Sequence, residues 1–293
     1  MMPDAANSAP AGNETRLILL GTKGGPRPSP LRSNPANLIL SGGTAYLVDC
    51  GYGTTRQLLA SGVQPHELGA IFITHHHSDH TLELGPLLYH AWIGGLRSPI
   101  DVFGPPPLAA LIDGLFAAFW FEIATRMQDE GRGNPQHLVR VHEIGASGVV
   151  LEAADIRVTA GRVHHPPLQD AYAYRFDTTH RSLVLSGDTA VCPDLLGLAR
   201  RADVLVHEVM RVESLPRLIA GLPNARELHA HLLASHTTTE QVGAVASQAE
   251  VGTLVLNHFV PGDDPAITEE MWIASAREAF GGLVIAGRDL LEV

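Results

Sequence analysis

The stretch Ala70-Ile71-Phe72-Ile73-Thr74-His75-His76-His77-Ser78-Asp79-His80 restricts what this chain can become more than any other part of it. Four apolar residues rich in Ile and Phe read as a short buried strand, and the polar cluster follows at its C-terminal end. Open sheets place their chemistry at such ends. A turn there can aim several side chains at one point, and imidazole nitrogen and carboxylate oxygen are ligands that zinc accepts at about 2.0–2.2 Å. A tag would sit at a terminus and would not run on into Ser-Asp-His. His75, His77, Asp79 and His80 are therefore read as metal ligands.

One short cluster cannot fill two metal shells, so further ligands are expected at other strand ends. Val163-His164-His165 follows one apolar run, Leu185-Ser186-Gly187-Asp188-Thr189 another, and Leu254-Val255-Leu256-Asn257-His258 a third. Each alone reads as an ordinary turn, but the coincidence of all three at strand ends carries weight. His229 and His231 form a His-X-His with no carboxylate after it, in what reads as a loop, and a metal role is not expected for them. His66, His90, His137, His142 and His180 show no spacing and read as surface or core residues.

The rest of the pattern alternates strands and helices. Strands are expected at Arg16 to Leu20, at Asn37 to Leu40 and Ala45 to Val48 around a Gly-Gly hairpin turn, and at Ile100 to Phe103. Others are expected at Val149 to Leu151, Ile156 to Ala160, Tyr172 to Phe176, Ser182 to Leu185, Val204 to Val206, Thr253 to Leu256 and Leu283 to Ala286. Helices fit Thr54 to Ser61, Leu82 to Gly95, Pro193 to Arg200, Thr238 to Ala249 and Ile267 to Phe280. Leu108 to Met127 reads as one long apolar helix carrying Phe116, Phe119, Trp120 and Phe121, and residues 104–135 as core or as a lid over a pocket. Two sheets with helices on their outer faces, in a single domain over residues 15–293, satisfy this order. Residues 1–14, rich in Ala, Asn, Pro and Gly, read as a flexible tail.

With 45% hydrophobic and 17% charged residues, the 293-residue chain has the composition of a globular protein able to fill a large core. Its formal charge is -11 and it has no run of Lys or Arg. That argues against a nucleic-acid partner, since such affinity rests on basic groups neutralising phosphates, though it leaves room for a local basic groove. Cys50 and Cys192 are too few for a disulfide framework and lack zinc-site spacing. No apolar run reaches the roughly 18–20 residues that span a bilayer, and the N-terminus does not read as a secretory signal. A soluble, cytoplasmic protein with no membrane partner is expected.

The motif His75-X-His77-X-Asp79-His80, followed by a lone His, a lone Asp and a final His, resembles the signature of the metallo-β-lactamase superfamily. The likeness is to the branch holding ribonuclease Z and the metal-dependent arylsulfatases. It is carried also by Leu20-Gly21-Thr22, Tyr46-Leu47-Val48-Asp49-Cys50-Gly51, Ser186-Gly187-Asp188-Thr189, His207-Glu208-Val209 and His236-Thr237-Thr238-Thr239-Glu240-Gln241, and runs from Leu17 to the last strand. The resemblance implies a four-layer αββα sandwich. It implies one metal on His75, His77 and His165, a second on Asp79, His80 and His258, and Asp188 bridging them. His165 is preferred to His164 because it stands nearer the proline turn leading to Tyr172. Asp49 would hydrogen-bond the ligand loop in place. His236 is the candidate proton donor, Glu208 the carboxylate that orients it, and Asp79 a group that can orient the attacking hydroxide.

Two divalent cations lower the pKa of a shared water and clamp the oxygens of the reacting centre. Zinc suits nitrogen and oxygen ligands first, with manganese or iron also acceptable. As for substrate, bacterial ribonuclease Z carries a long tRNA-gripping arm between the lone His and the lone Asp. His165 and Asp188 are only 23 positions apart here, with no room for it. The expectation is therefore a hydrolase of small esters, of aryl sulfate or phosphodiester type, whose leaving group lies against Tyr89, Trp92 and the aromatic segment after Pro107. The alternatives are β-lactam or lactone hydrolysis, RNA 3′-processing of the ribonuclease Z kind, and a decayed site on a non-enzymatic scaffold. The resemblance also suggests a homodimer.

Overall fold

The computed structural model describes residues 14–293; most of the expected N-terminal tail, residues 1–13, lies outside the described residues. The first sheet opens with the antiparallel strands β1 (Arg16–Gly21), β2 (Ala36–Ser41) and β3 (Thr44–Val48). It continues in parallel through β4 (Leu68–Phe72), β5 (Ile100–Gly104) and β6 (Val139–Glu143). The second sheet is antiparallel from β7 (Gly148–Ala153) through β8 (Ile156–Arg162) and β9 (Tyr172–Thr178) to β10 (Ser182–Leu185), then parallel through β11 (Val204–Met210), β12 (Thr253–Val260) and β13 (Leu283–Ala286). The last strand, β14 (Leu291–Glu292), returns to the first sheet beside β1. Each sheet thus has seven strands.

The two sheets face each other, and strand alternation divides the core into layers. Successive side chains in a strand point to opposite faces. In β1, Leu17 and Leu19 therefore enter the layer between the sheets, with Phe72, Phe103, Tyr172, Tyr174 and Phe176, while Ile18 and Leu20 point outward. Helices α1 (Thr54–Ala60), α3 (Leu84–Ile93) and α4 (Leu108–Ala118) cover that outer face through Leu58, Leu87 and Ile112. On the far side α6 (Pro193–Ala199), α9 (Thr239–Gln248) and α10 (Glu269–Ala279) cover the second sheet through Leu195, Val245 and Trp272. With both faces covered, Leu17 to Leu20 in β1 and Val204 to Val206 in β11 read as continuous apolar runs rather than alternating ones. The fold is the four-layer αββα sandwich expected from the sequence.

The differences lie at boundaries and in short elements. The long helix expected over Leu108 to Met127 is two helices, α4 and α5 (Trp120–Glu130), bent by 65° at Phe119. Phe116 and Ile123 are buried, whereas Phe121 is 89% exposed, because the bend turns the aromatic run past the core rather than into it. Strands β6 and β14 carry no clear sequence pattern, being short edge strands with weak alternation. Neither do α7 (Leu215–Ile219) and α8 (Ala225–Ser235), where Pro and Asn breaks hide short helical periods. No single helix among the described residues is long and apolar enough to cross a membrane.

The outer helix pair is tightly fitted. A Cβ built on Gly243 of α9 would lie 2.3 Å from the carbonyl oxygen of Ala276 in α10. That oxygen is backbone and cannot swing aside. Gly243→Val is expected to cost about 2 kcal/mol of stability by forcing the helices apart, read as a lowered midpoint in urea unfolding with an unchanged slope.

Candidate metal centre

The loop that leaves β4 is hung from one carboxylate. Asp49, at the end of β3, adopts a left-handed backbone with φ 65° and turns its side chain under the loop. There it accepts the Thr74 backbone N–H at 2.8 Å and the His80 Nδ1–H at 2.8 Å, with the Thr74 hydroxyl at 3.0 Å. Thr74 also ties the sheets together, its carbonyl accepting the N–H of Tyr172 in β9 at 2.9 Å. The short helix α2 (Ser78–Thr81) starts directly after His77 and places Asp79 and His80 in one buried turn.

Every ligand expected from the sequence arrives in one place. His75, His77, His165 and Asp188 form one group whose donor atoms lie within 4.8 Å of one another, and Asp79, His80 and His258 form a second. In the first, His77 Nδ1 lies 3.0 Å from His75 Nε2 and 3.1 Å from His165 Nε2. In the second, Asp79 Oδ2 lies 3.7 Å from His80 Nε2 and 3.5 Å from His258 Nε2. Asp188 addresses both groups. Its Oδ2 lies 3.7 Å from His75 Nε2, and its Oδ1 lies 3.3 Å from His80 Nε2 and 3.1 Å from His258 Nε2. His164, by contrast, is exposed.

His258 reaches its position through a bulge. Glu208 pairs with Asn257 and Val209 with Phe259, so His258 is an extra residue in β12, held at φ 45°. Bulges commonly re-aim a side chain beside a functional site. The loop after β1 accommodates the displaced ring, since a Cβ on Gly24 would lie 2.6 Å from it. Next to it the Gly25 N–H donates to Asp79 Oδ2 at 2.8 Å.

These groups fit a pair of cations. His80 Nε2, His258 Nε2 and Asp188 Oδ1 are buried with no hydrogen-bond partner. With Nδ1–H donated to Asp49, His80 aims Nε2 at Asp188; burial opposes a charge there, but Asp188 and Asp49 outweigh it and raise the imidazole well above its ordinary value, so positive charge is favoured between the two groups. Burial alone would raise Asp188, but His258 and His80 hold it well below the usual carboxylate range. Burial would lower His258, yet Asp188 raises it to about 10. Burial, with His165 nearby, takes His77 down to about 4 and pushes His75 well below the ordinary histidine value, leaving both neutral as a ligand must be. The cluster is thus able to bind two divalent ions through nitrogen and oxygen alone; Cys50 and Cys192 are buried outside it.

The expected acid pair is also assembled. His236 Nδ1 lies 2.9 Å from Glu208 Oε1, which accepts the Thr189 N–H at 2.8 Å as well. Burial opposes a charge on His236, but Glu208 outweighs it and raises the imidazole above its ordinary value. His236 stands in an extended link between α8 and α9, where Thr238 caps α9 through a reciprocal pair with Gln241.

The cavity in front of the centre has a volume of about 440 Å³. Its apolar wall is Leu218, Leu222, Leu228 and Leu232 from α7, α8 and their link, not the expected Tyr89, Trp92 and aromatic segment. Those aromatics pack among themselves, Tyr89 on Phe119 and on Trp92. Lys23 and Arg27 also line the cavity, Arg27 donating to the Leu218 carbonyl at 3.3 Å. His231, set aside as a loop residue, lies on α8 and lines the cavity; only the i, i+4 relation to Ser235 in a recognised helix would have signalled it.

Asp49→Asn keeps the left-handed turn but replaces one of the two accepting oxygens with an NH2 donor, so the Thr74 N–H and the His80 Nδ1–H can no longer both be held. Partners of this kind are worth about 10–100-fold in metal affinity. A loss of that size is expected in chelator competition, with the circular dichroism spectrum unchanged.

The beta-lactamase superfamily domain matches residues 44–259. The ribonuclease Z of Mycobacterium marinum is 35% identical over 280 residues, 94% of this chain and 97% of its own. Among solved structures, the metallo-beta-lactamase fold protein YhfI of Bacillus subtilis superposes with a TM-score of 0.70 at 19% identity, covering 95% of this chain and 98% of its own. The short form of human tRNase Z gives 0.67 at 23% identity, with the same coverage. These relatives correct the expectation of a small-ester substrate with no nucleic-acid partner. Net charge is a sum over the whole surface, whereas phosphate contact is local, and Lys23 and Arg27 sit at the cavity. The short gap between His165 and Asp188 does not set the chain apart either, since a relative matched over 97% of its length bears the ribonuclease Z name. The chain belongs to the metallo-β-lactamase superfamily of metal-dependent hydrolases, in its ribonuclease Z branch.

Proposed function

We propose that the protein is a dinuclear metal-dependent RNA phosphodiesterase, a 3′-processing endonuclease of the ribonuclease Z kind. The observation that carries this reading is the 34–35% identity to proteins named ribonuclease Z, over 94% of this chain and 95–97% of theirs. The metal ligands in this reading are His75, His77 and His165 on one side, Asp79, His80 and His258 on the other, and Asp188 between them. Zinc is the proposed native ion, the nitrogen and oxygen donor set being one it accepts readily.

When bound, the two ions supply a water of lowered pKa and neutralise charge on the reacting phosphate. The chain's own groups do the rest. Arg27 sets positive charge at the cavity beside an anionic strand, while the buried Lys23 ammonium donates to the Gly24 and Gly25 carbonyls and holds the loop in place. Asp79, fixed by the Gly25 N–H, lines the cavity with its carboxylate, where it would orient the attacking water. As the water oxygen bonds to phosphorus, the bond from phosphorus to the leaving oxygen breaks, and that oxygen needs a proton. His236 delivers it from Nε2, because its Nδ1–H is held by Glu208. Glu208 is fixed in turn by the Thr189 N–H, so the imidazole cannot rotate away.

The test is cleavage of a precursor tRNA carrying a 3′ trailer by metal-loaded protein, with a single internal cut expected and a chelator abolishing it. His236→Ala is expected to lower kcat by about 10²–10⁴-fold, the usual worth of a positioned acid, with Glu208→Gln intermediate and metal content unchanged in both. A fully metallated protein that leaves the precursor intact would overturn the reading.

A further inference from the structure

Ser235 closes α8 and serves two histidines at once. Its backbone carbonyl accepts from His165 Nδ1 at 2.9 Å, which leaves His165 Nε2 as the lone pair facing the metal group. Its hydroxyl, fully buried, donates to the Pro166 carbonyl at 2.6 Å. A hydroxyl has one proton, so toward any other neighbour it acts as acceptor. That neighbour is His231 Nδ1 at 3.2 Å, one helical turn earlier. His231 is thereby set in the tautomer that carries its proton on Nδ1 and a lone pair on Nε2.

His231 is not part of the metal groups or of the acid pair. Its ring centroid stands 6.2 Å from His77, 6.0 Å from His165 and 6.1 Å from His236, over the space between the centre and the proton donor, and it lines the cavity. An imidazole acceptor at that place is matched by a hydrogen-bond donor on the substrate. The non-bridging and ester oxygens of a phosphodiester are acceptors only. Within reach of the scissile phosphate an RNA strand offers one donor on its sugar, the 2′-hydroxyl, the group that distinguishes RNA from DNA.

We infer that His231 is a specificity-determining residue which accepts a hydrogen bond from the ribose 2′-hydroxyl beside the scissile phosphate, so that α8 makes the site selective for RNA. This rests on the RNA phosphodiesterase reading above. It adds no step to the chemistry; it places the sugar, and through the sugar the phosphorus, against the metal groups and His236.

The experiment compares two precursor RNAs that differ only by a 2′-deoxy sugar at the nucleotide preceding the scissile bond. Wild type is expected to lose about tenfold in kcat/KM on the deoxy substrate, roughly the worth of one neutral hydrogen bond. His231→Leu should show a similar loss on the all-ribose substrate, and no further loss when the 2′-hydroxyl is removed. His231→Gln, which keeps an acceptor, should recover part of the preference, and metal content should match wild type in both variants. Equal losses by His231→Leu on the two substrates, or indifference of wild type to the deoxy sugar, would overturn the inference while leaving RNA cleavage intact. Failure of wild type to cut the all-ribose RNA would instead overturn the functional reading itself, and this inference with it.

Discussion

The buried carboxylate of Asp188 is the constraint around which this molecule is arranged. A carboxylate far from water is costly unless charge and hydrogen bonds compensate it. Here both of its oxygens face imidazoles, delivered from β4, from the turn after β8 and from the bulge in β12. No single element could supply them all. The meeting of two sheets, each ending its strands at one edge, brings donors from distant parts of the chain within a few ångströms. Gly187, beside Asp188, has φ 58°, and a Cβ there would lie 3.0 Å from both the Thr74 side chain and the Tyr172 carbonyl oxygen. The loop that carries the carboxylate thus fits against the same Thr74 that links the sheets.

The residues that gather there were legible in the sequence for a physical reason. A ligand must be polar, and in this fold it must follow or end a strand whose both faces are covered, so it stands out against a continuous apolar run. His75, Asp188 and His258 each end such a run. The layering was legible for the same reason, since strands buried on both faces leave no polar register to mistake. The choice between His164 and His165 depended on which way a turn faces, and the structure gives it by exposure of one and burial of the other.

What was not legible depended on tertiary direction. Tyr89, Trp92 and Phe119 have the composition of a pocket wall, yet the bend at Phe119 packs them away from the centre, and the wall is built from leucines on α7, α8 and their link. Composition cannot say which side of a sandwich a helix will cover. Net charge misled for a related reason: -11 is spread over the whole chain, while Lys23 and Arg27 meet at one cavity. His231 stands in a His-X-His that marks no metal site, and its place is fixed by a hydroxyl one turn along its own helix rather than by spacing to other ligands.

The double use of Ser235 also ties the cavity wall to the metal groups. Helix α8 supplies Leu228 and Leu232 to the cavity wall, and at its last residue it holds His165 through a carbonyl and Pro166 through a hydroxyl. The Asn224 end begins without a side-chain cap, so the helix is fixed in place by its Ser235 end and by its packing on α7. A substitution that displaces the last turn of α8 therefore disturbs a histidine of the metal group and the leucine wall together, and the shape of the cavity and the position of a ligand cannot vary independently.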